Sequence, residues 1–371
     1  MKRIICTVTN DLTYDQRMIR ICTSLSEAGY HVLLVGRELE NSKPLAKQAF
    51  DQKRFRLLFN KGKLFYFEYN LRLFLFLLFA SFEIVNVVDL DTLLPGFLVS
   101  RLKHKVCVYD AHEYFTEVPE VVGRPVVKKV WQALAKSIIP RLKYCYTVGE
   151  HLASVFEENY GTTFTVIRNV PYKKEGTREV DSIHGQIPFI VLYQGVLNEG
   201  RGLEEAIQAM VYLEGAELWL AGEGDLSSDL RALSRNLGVE SKVKFLGRIP
   251  PAELFETTKK AHLGLNLLKN KGLNYYFSLA NKAFDYIQAG IPSLNMAFPE
   301  YEKINRRYQV FVLLETLDPE KIAEVVESLR NDNVLYANIV KGCWAASDYY
   351  TWENEEKTLL NFYRNVLTEL K

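Results

Sequence analysis

Short apolar runs alternate with helical patterns from the start of the chain. Arg3–Val8 reads as a strand, Asp15–Ala28 as a helix stopped by Gly29, and His31–Val35 as a second strand. An apolar period of two gives way to one of 3.6 and back again, which is a βαβ rhythm. It continues through Glu83–Val88, Thr92–Leu102, Lys105–Tyr109, Val126–Ile139, Tyr144–Val148, Glu150–Tyr160 and Thr165–Ile167. This alternation predicts a mostly parallel, doubly wound α/β sheet. Between Pro171 and Gln186 the pattern stops and the chain becomes polar, which predicts a link over 171–187 between domains at 1–170 and 188–350. A second series follows: Phe189–Gln194, Leu203–Met210, Glu217–Ala221, Leu226–Leu237, Lys242–Leu246, Pro251–Lys259, Leu263–Leu267, a helix around Asn281, Ser293–Asn295 and Val310–Leu314. The expectation is of two similar sheets facing each other, with a ligand in the cleft beyond the carboxyl ends of the strands.

Composition narrows the functional classes. Among 371 residues, 46 Lys and Arg stand against 45 Asp and Glu, a net charge of +1. No global field favours nucleic acid, so phosphate binding has to be local. Cys6, Cys22, Cys107, Cys145 and Cys343 are odd in number and without CxxC spacing, which argues against a disulfide framework or thiolate metal site, and Cys6, Cys107 and Cys145, inside apolar runs, read as small buried hydrophobes in a reducing compartment. Asn10 and Asp11 interrupt the first apolar run too early for a signal peptide, and a cytoplasmic chain is expected. The apolar segment Leu71–Phe82, after the aromatic stretch Lys61–Phe67, is too short to span a bilayer. A core helix is the preferred reading. The alternative is an interfacial helix touching a membrane through 54–82, beside Arg54, Arg56, Lys61 and Lys63.

Candidate chemistry gathers at the ends of the expected strands. Ser278–Pro292 reads as a short helix capped by Ser278 and ended by Gly290 and Pro292. Ser278, Asn281, Lys282 and Asp285 share one side, while Ala283, Phe284 and Ile287 face a core. Its first turn suits an anion and Asp285 suits sugar hydroxyls, although a plain capped surface helix would look the same. Gly195 begins a loop that carries Arg201 to the start of the next helix, where a forked cation suits a diphosphate. Gly222-Glu223-Gly224 and Gly247-Arg248-Ile249 follow two later strands, and small residues at three successive strand ends imply one extended ligand such as a nucleotide.

In the first series Asp110, His112 and Glu113 follow a strand, and Asp15 and Arg17 occupy the turn after the first strand. Asp89-x-Asp91 resembles a divalent-metal motif, but it also reads as the start of a helix, and no metal is assigned. There is no Walker-type loop, no Gly-x-Ser-x-Gly elbow and no HExxH.

Taken in order, these segments resemble the retaining glycosyltransferases of family 4, with the GT-B architecture of two facing Rossmann-like domains. The resemblance runs through Asp15-x-Arg17, Asp89-x-Asp91-Thr92, Asp110-x-His112-Glu113, Ile167-x-Asn169, Gly195 to Arg201-Gly202, Gly222-x-Gly224, Phe245-x-Gly247, Asn281 to Asp285 to Gly290-x-Pro292, and Trp352-Glu353. It implies that Arg201 holds the donor diphosphate, that Asp285 grips the ribose, and that His112 lies near the donor sugar. It further implies that Leu279 to Asn281 cap the phosphates, that Arg248 and Ile249 border the base, and that a last helix over 351–371 crosses back to the first domain. Two positions depart from the family. Phe277 stands where an acid is common, and Val196 where a base is usual, leaving Arg201 and Lys282 to balance the phosphates.

The resulting expectation is a metal-independent retaining transferase moving a sugar from a nucleotide-diphosphate donor to a glycan or lipid-linked acceptor in surface polysaccharide synthesis. No cofactor is implied. Donor contacts fall to Gly195, Arg201, Glu223, Arg248, Ile249, Ser278, Leu279, Asn281, Lys282 and Asp285, chemistry to His112 and Arg201, and the acceptor side to Asp15, Arg17, Asp89 and Glu113. Two other readings stay open: an epimerase or glycan phosphorylase of the same fold, and a non-catalytic subunit that binds nucleotide sugar or membrane.

Overall fold

The computed structural model describes residues 2–174 and 187–368, so most of the expected link lies outside the described residues. The chain forms two compact units: Met1–Asn169 together with Asn354–Lys371, and Val170–Glu353.

The first unit is built from β1 (Arg3–Thr7), α1 (Gln16–Glu27), β2 (His31–Glu38), β3 (Asp51–Arg56), α2 (Gly62–Phe79), β4 (Ile84–Val88), α3 (Asp89–Leu102), β5 (Val106–Ala111), α4 (Pro119–Val122), α5 (Pro125–Ile138), β6 (Tyr144–Thr147), α6 (Glu150–Tyr160) and β7 (Phe164–Val166). Its seven strands run in the order β3-β2-β1-β4-β5-β6-β7, with every neighbouring pair parallel. The order reverses between β1 and β4, the kind of switch point at which doubly wound sheets bind ligands. All five residues of β4 are buried, as a central strand covered on both faces requires. One face is covered by α2, α3, α5 and α6, whose Leu73, Leu93, Ala135 and Phe156 share a core with Val85 and Tyr109.

A strand at 51–56 is absent from the sequence reading. Asp51–Arg56 carries only one apolar residue, Phe55, because β3 is an edge strand with an alternating exposed and half-buried pattern. The segment Leu71–Phe82 belongs to a longer helix, α2, that presents Phe65, Tyr69, Leu73 and Leu77 to the core at four-residue spacing.

The second unit contains β8 (Phe189–Gln194), α7 (Leu203–Ala209), β9 (Ala216–Ala221), α8 (Ser227–Asn236), β10 (Val243–Gly247), α9 (Pro251–Thr258), β11 (Leu263–Asn266), α10 (Leu273–Tyr276), α11 (Asn281–Ala289), β12 (Ser293–Met296), α12 (Pro299–Tyr308), β13 (Phe311–Leu314), α13 (Pro319–Asn331) and α14 (Asn333–Tyr349). Its parallel sheet has the order β10-β9-β8-β11-β12-β13, again reversing beside its first strand. Pro171 and Lys174, inside the expected link, bond through the backbone to Trp352 N–H and to the Gln288 side chain.

A last helix, α15 (Trp352–Thr368), supplies the segment that returns to the first unit. Its Glu355 accepts from the backbone N–H and the guanidinium of Arg168, which also pairs with Glu150. Phe362 packs edge-on against Tyr146, with ring centroids 5.3 Å apart. All five cysteines are buried and free.

Gly290 ends α11 at φ +71°, and its α-carbon lies against the indole of Trp344 so closely that a methyl group would fall inside the ring. Left-handed strain and overpacking add, so Gly290→Ala should lower unfolding free energy by about 2–5 kcal/mol. A urea midpoint equal to that of the parent would contradict this packing.

Candidate functional site

In the second unit a cationic pocket forms where β8 ends. Tyr193 is buried beneath it, with its hydroxyl donating to the Val196 carbonyl at 2.9 Å. The Lys282 ammonium lies 3.7 Å from the centroid of the Tyr193 ring. Gly195, at φ +136°, leaves open the space that a side chain would fill, and a Cβ there would stand 3.4 Å from Lys282 Nζ. Arg201 sits 5.3 Å over the Tyr275 ring, and its Nε is buried with no hydrogen-bond partner among the described residues. Burial, and then the charge of Arg201, push the Lys282 ammonium well below the ordinary lysine range, with Asp285 opposing. Two cations held together, one easily deprotonated and the other with an orphaned N–H, form a site that an anion would stabilise.

Asp285 is oriented from beneath. Its Oδ2 accepts from Gln194 Nε2 at 2.9 Å, and Gln194 Oε1 accepts from the Thr258 hydroxyl at 2.8 Å. The chain Thr258–Gln194–Asp285 leaves the carboxylate fixed but only partly satisfied by that bond, since an ionised carboxylate offers about four acceptor positions. Sequence reading missed Gln194 and Thr258. The signal was a glutamine closing an otherwise apolar strand, where a buried amide requires partners.

The start of α11 differs from expectation. Ser278 does not cap it: the helix begins at Asn281 after Ala280, and the Ser278 hydroxyl donates instead to the Tyr275 carbonyl at 2.8 Å. The short turn of α10 just before it captures that hydroxyl. Ala280 N–H is taken by the Tyr301 hydroxyl at 2.9 Å, and the Leu279 side chain is buried. Ala280 N–H is therefore not open to an anion, and the first turn of α11 itself presents the N–H groups of Asn281 and Lys282. The buried side of the helix is as expected, with Ala283, Phe284 and Ile287 inside.

The glycines at the next strand end have a packing cause. A Cβ on Gly222 would collide with the Gly195 carbonyl, and one on Gly224 with the Leu197 carbonyl. Small residues there allow two loops to touch, so they do not by themselves trace a ligand. Glu223 lies 3.6 Å from Arg231, Arg248 is exposed, and Ile249 packs beside Leu192 and Tyr286.

In the first unit a second polar cluster lies at the ends of β1, β4 and β5. Asp110, fully buried, accepts from Arg17 at 3.0 Å through Oδ1 and pairs with His112 Nε2 at 2.9 Å through Oδ2. Burial alone would raise the Asp110 carboxyl, but Arg17 and His112 hold it below its ordinary value. For His112, burial opposes the proton, yet Asp110 outweighs burial and Arg17 and raises its pKa. Asp89, at φ +54°, accepts the His112 backbone N–H at 2.9 Å, and burial drives its carboxyl pKa well up. Asp91 is pushed to about 6 by burial, against the bond from Thr9 at 2.6 Å.

Three acceptor-side expectations change here. Arg17 is 3% exposed and spends its guanidinium on Asp110 and the Ile167 carbonyl, so it braces the cluster instead of meeting a ligand. Asp15 caps α1 through Met18 N–H and bonds Asn10 with its other oxygen. Asp89 turns inward to the His112 backbone. Glu113 remains half-buried within electrostatic reach of Asp89 and Asp91. Among the described residues no group of three or more His, Cys, Asp or Glu side chains is arranged to hold a metal ion.

Comparison with known proteins gives three findings. Residues 179–342 match the family model described as glycosyl transferases group 1. An uncharacterised glycosyltransferase of Methanocaldococcus jannaschii is 26% identical over 179 residues, 47% of this chain and 44% of the relative, so the chain spans less than half the length of that curated relative. Among solved structures, the sucrose-phosphate synthase of Thermosynechococcus elongatus aligns at a TM-score of 0.80 with 14% identity over 100% of both chains. HepE of Anabaena, in complex with UDP, aligns at 0.73 with 13% identity over 100% of this chain and 99% of that one. The fold is therefore that of two Rossmann-like domains of the GT-B kind.

The His112–Asp110 pair carries a test. Removing the Asp110 charge leaves burial and Arg17, both of which favour the neutral ring, against the smaller effect of Asp89. Asp110→Asn should move the NMR titration of His112 from above the ordinary value of 6.5 to below it. It should also destabilise the fold by about 3–5 kcal/mol, because Arg17 would be left buried without its partner. In the parent, the pair stabilises the fold fully below pH 6.5 and loses that contribution as pH rises through the raised His112 value. A His112 titration unmoved by the substitution would contradict the pairing.

Proposed function

We propose that the chain is a metal-independent, retaining glycosyltransferase that takes its sugar from a nucleoside-diphosphate donor. The observation that carries this reading is the pairing of Arg201 with Lys282, which stands beside Gly195 in the first turn of α11, one helical turn before Asp285. The order of groups fits a nucleoside diphosphate: cations and backbone N–H groups for the phosphates, and an oriented carboxylate for the ribose hydroxyls. The match of residues 179–342 to the group 1 family model and the likeness in fold to a UDP-bound protein support the same reading. We take the donor base to be uracil on that second ground.

Charge grows on the diphosphate as the glycosidic bond to the sugar breaks. Arg201, Lys282 and the α11 N-terminus stabilise it, and their positions are set before the reaction begins. On retention of configuration the departing phosphate stays on the face at which the acceptor hydroxyl enters, where it can take the hydroxyl proton. Lys282 also answers the departure at Val196: a cation supplied from α11 replaces the one missing from the loop. His112, whose pKa Asp110 raises, is assigned to the chemical step, and Glu113 to the acceptor. The acceptor class, a glycan or lipid-linked sugar of surface polysaccharide synthesis on the cytoplasmic side, rests on the family resemblance.

Calorimetry with UDP should show Arg201→Ala, Lys282→Met and Asp285→Ala each weakening binding roughly 10- to 100-fold, the usual range for a hydrogen bond to a charged group. Unchanged affinity in all three would remove the site. His112→Ala should lower turnover far more than UDP affinity, and EDTA should leave turnover unchanged. NMR of the product should show the donor's anomeric configuration in a new glycosidic bond. An epimerised donor would point to another reaction on the same fold.

A further inference from the structure

The helices covering one face of the first sheet turn an apolar surface outward. On α2 the buried stripe Phe65, Tyr69, Leu73 and Leu77 is matched on the other side by Phe67, Leu71, Leu75 and Phe79, all exposed and again four residues apart. Phe79 is 85% exposed and Phe67 69%. Next to it α3 exposes Leu94, Leu98 and Leu102, and α5 exposes Val126 and Val130. The helices pack side by side. Asn70 of α2 donates to the Asp91 carbonyl of α3 at 3.0 Å, Lys103 just after α3 reaches the Leu78 carbonyl of α2 at 3.1 Å, and Tyr66 of α2 meets Trp131 of α5 edge-on at 5.4 Å. Their outer stripes therefore belong to one layer. Leu58 and Phe59, exposed just before α2, add to it. A helix that is apolar all round is expected inside a core or against lipid, and contiguous exposed apolar surface marks a binding face.

The charges on this face have one sign. Lys63, Arg72, Arg101, Lys129 and Lys136 are exposed among the apolar side chains. No carboxylate on the three helices is exposed. Glu68 accepts from the Leu58 and Phe59 N–H groups and pairs with Arg72, Asp89 and Asp91 face inward at the start of α3, and α5 has no acid. A second copy of this face would bring like charges together across an apolar contact. An anionic lipid surface offers the complementary charge and an apolar layer beneath it. No helix among the described residues is long and apolar enough to cross a membrane, so contact would be along the surface.

We propose that the outer face of α2, α3 and α5 docks on a bilayer containing anionic lipid. Side chains of Phe67, Leu71 and Phe79 enter the acyl boundary while Lys129 and Lys136 meet the headgroups. This extends the interfacial alternative for 54–82 to two helices whose sequences gave no such sign, and it does not depend on what the second unit binds.

The test is flotation of the full chain with vesicles of phosphatidylcholine alone and of phosphatidylcholine mixed with phosphatidylglycerol. The parent should float with the mixed vesicles, less so at high salt, and remain largely unbound with phosphatidylcholine. Phe67→Ser combined with Leu71→Ser and Phe79→Ser should weaken partitioning about tenfold or more, and Lys129→Glu with Lys136→Glu should remove the preference for the anionic lipid. Unchanged thermal unfolding and UDP affinity in both variants would show that the rest of the molecule is intact. Equal flotation of parent and both folded variants would overturn the proposal. So would absence of flotation together with a parent dimer, seen in sedimentation, that the serine substitutions dissolve.

Discussion

Two cations, each over its own tyrosine, stand close together in the second unit, and the arrangement around them follows from that crowding. Lys282 lies over the Tyr193 ring, and burial, followed by the charge of Arg201, makes its proton easier to lose than an ordinary lysine's. Such a pair is unfavourable in an empty pocket and becomes favourable when a dianion enters. The fold tolerates it because aromatic faces and the Asp285 carboxylate offset part of the repulsion. The glycines at the β8 and β9 ends let the loops close in without filling the space beside Lys282.

The first unit applies opposite logic. Arg17, Asp110 and His112 form a compensated network in which the buried carboxylate sits between two cations. There the charges satisfy one another, and the imidazole holds its proton more firmly than an ordinary histidine. Asp89, its carboxyl pKa raised by burial and its own φ positive, secures the His112 backbone. A residue held in that conformation at the start of α3 is the sort of local strain that a surrounding network has to support.

Much of this was legible in the sequence, for reasons that can be named. Strands such as Phe189–Gln194 and helices such as Glu150–Tyr160 are strongly periodic and bounded by glycine or polar residues, and their limits agree with the structure. β3 was not legible, because a cationic edge strand lacks the apolar run that marks a central one. Arg17, Asp15 and Asp89 were placed at the right strand ends, but their side chains are engaged internally, and sequence does not say which of two partners a charged group will choose. Ser278 shows the same limit: it has the right chemistry for a cap, and the carbonyl of Tyr275 lies closer. The outer stripes of α3 and α5 were hidden because Leu94, Leu98 and Val130 read as ordinary core until packing shows them facing water.

The reading of the site turns on Lys282, and proton uptake on binding reports it most directly. Calorimetry of UDP binding at alkaline pH, repeated in buffers of different ionisation enthalpy, counts the protons that accompany the ligand. A depressed ammonium that becomes fixed beside a diphosphate must take up a proton as the complex forms. Uptake should approach about one proton at pH values between the depressed Lys282 pKa of the free chain and the higher one of the complex, and vanish in Lys282→Met. Binding with no proton uptake across that range, or the same uptake in the methionine variant, would contradict the account.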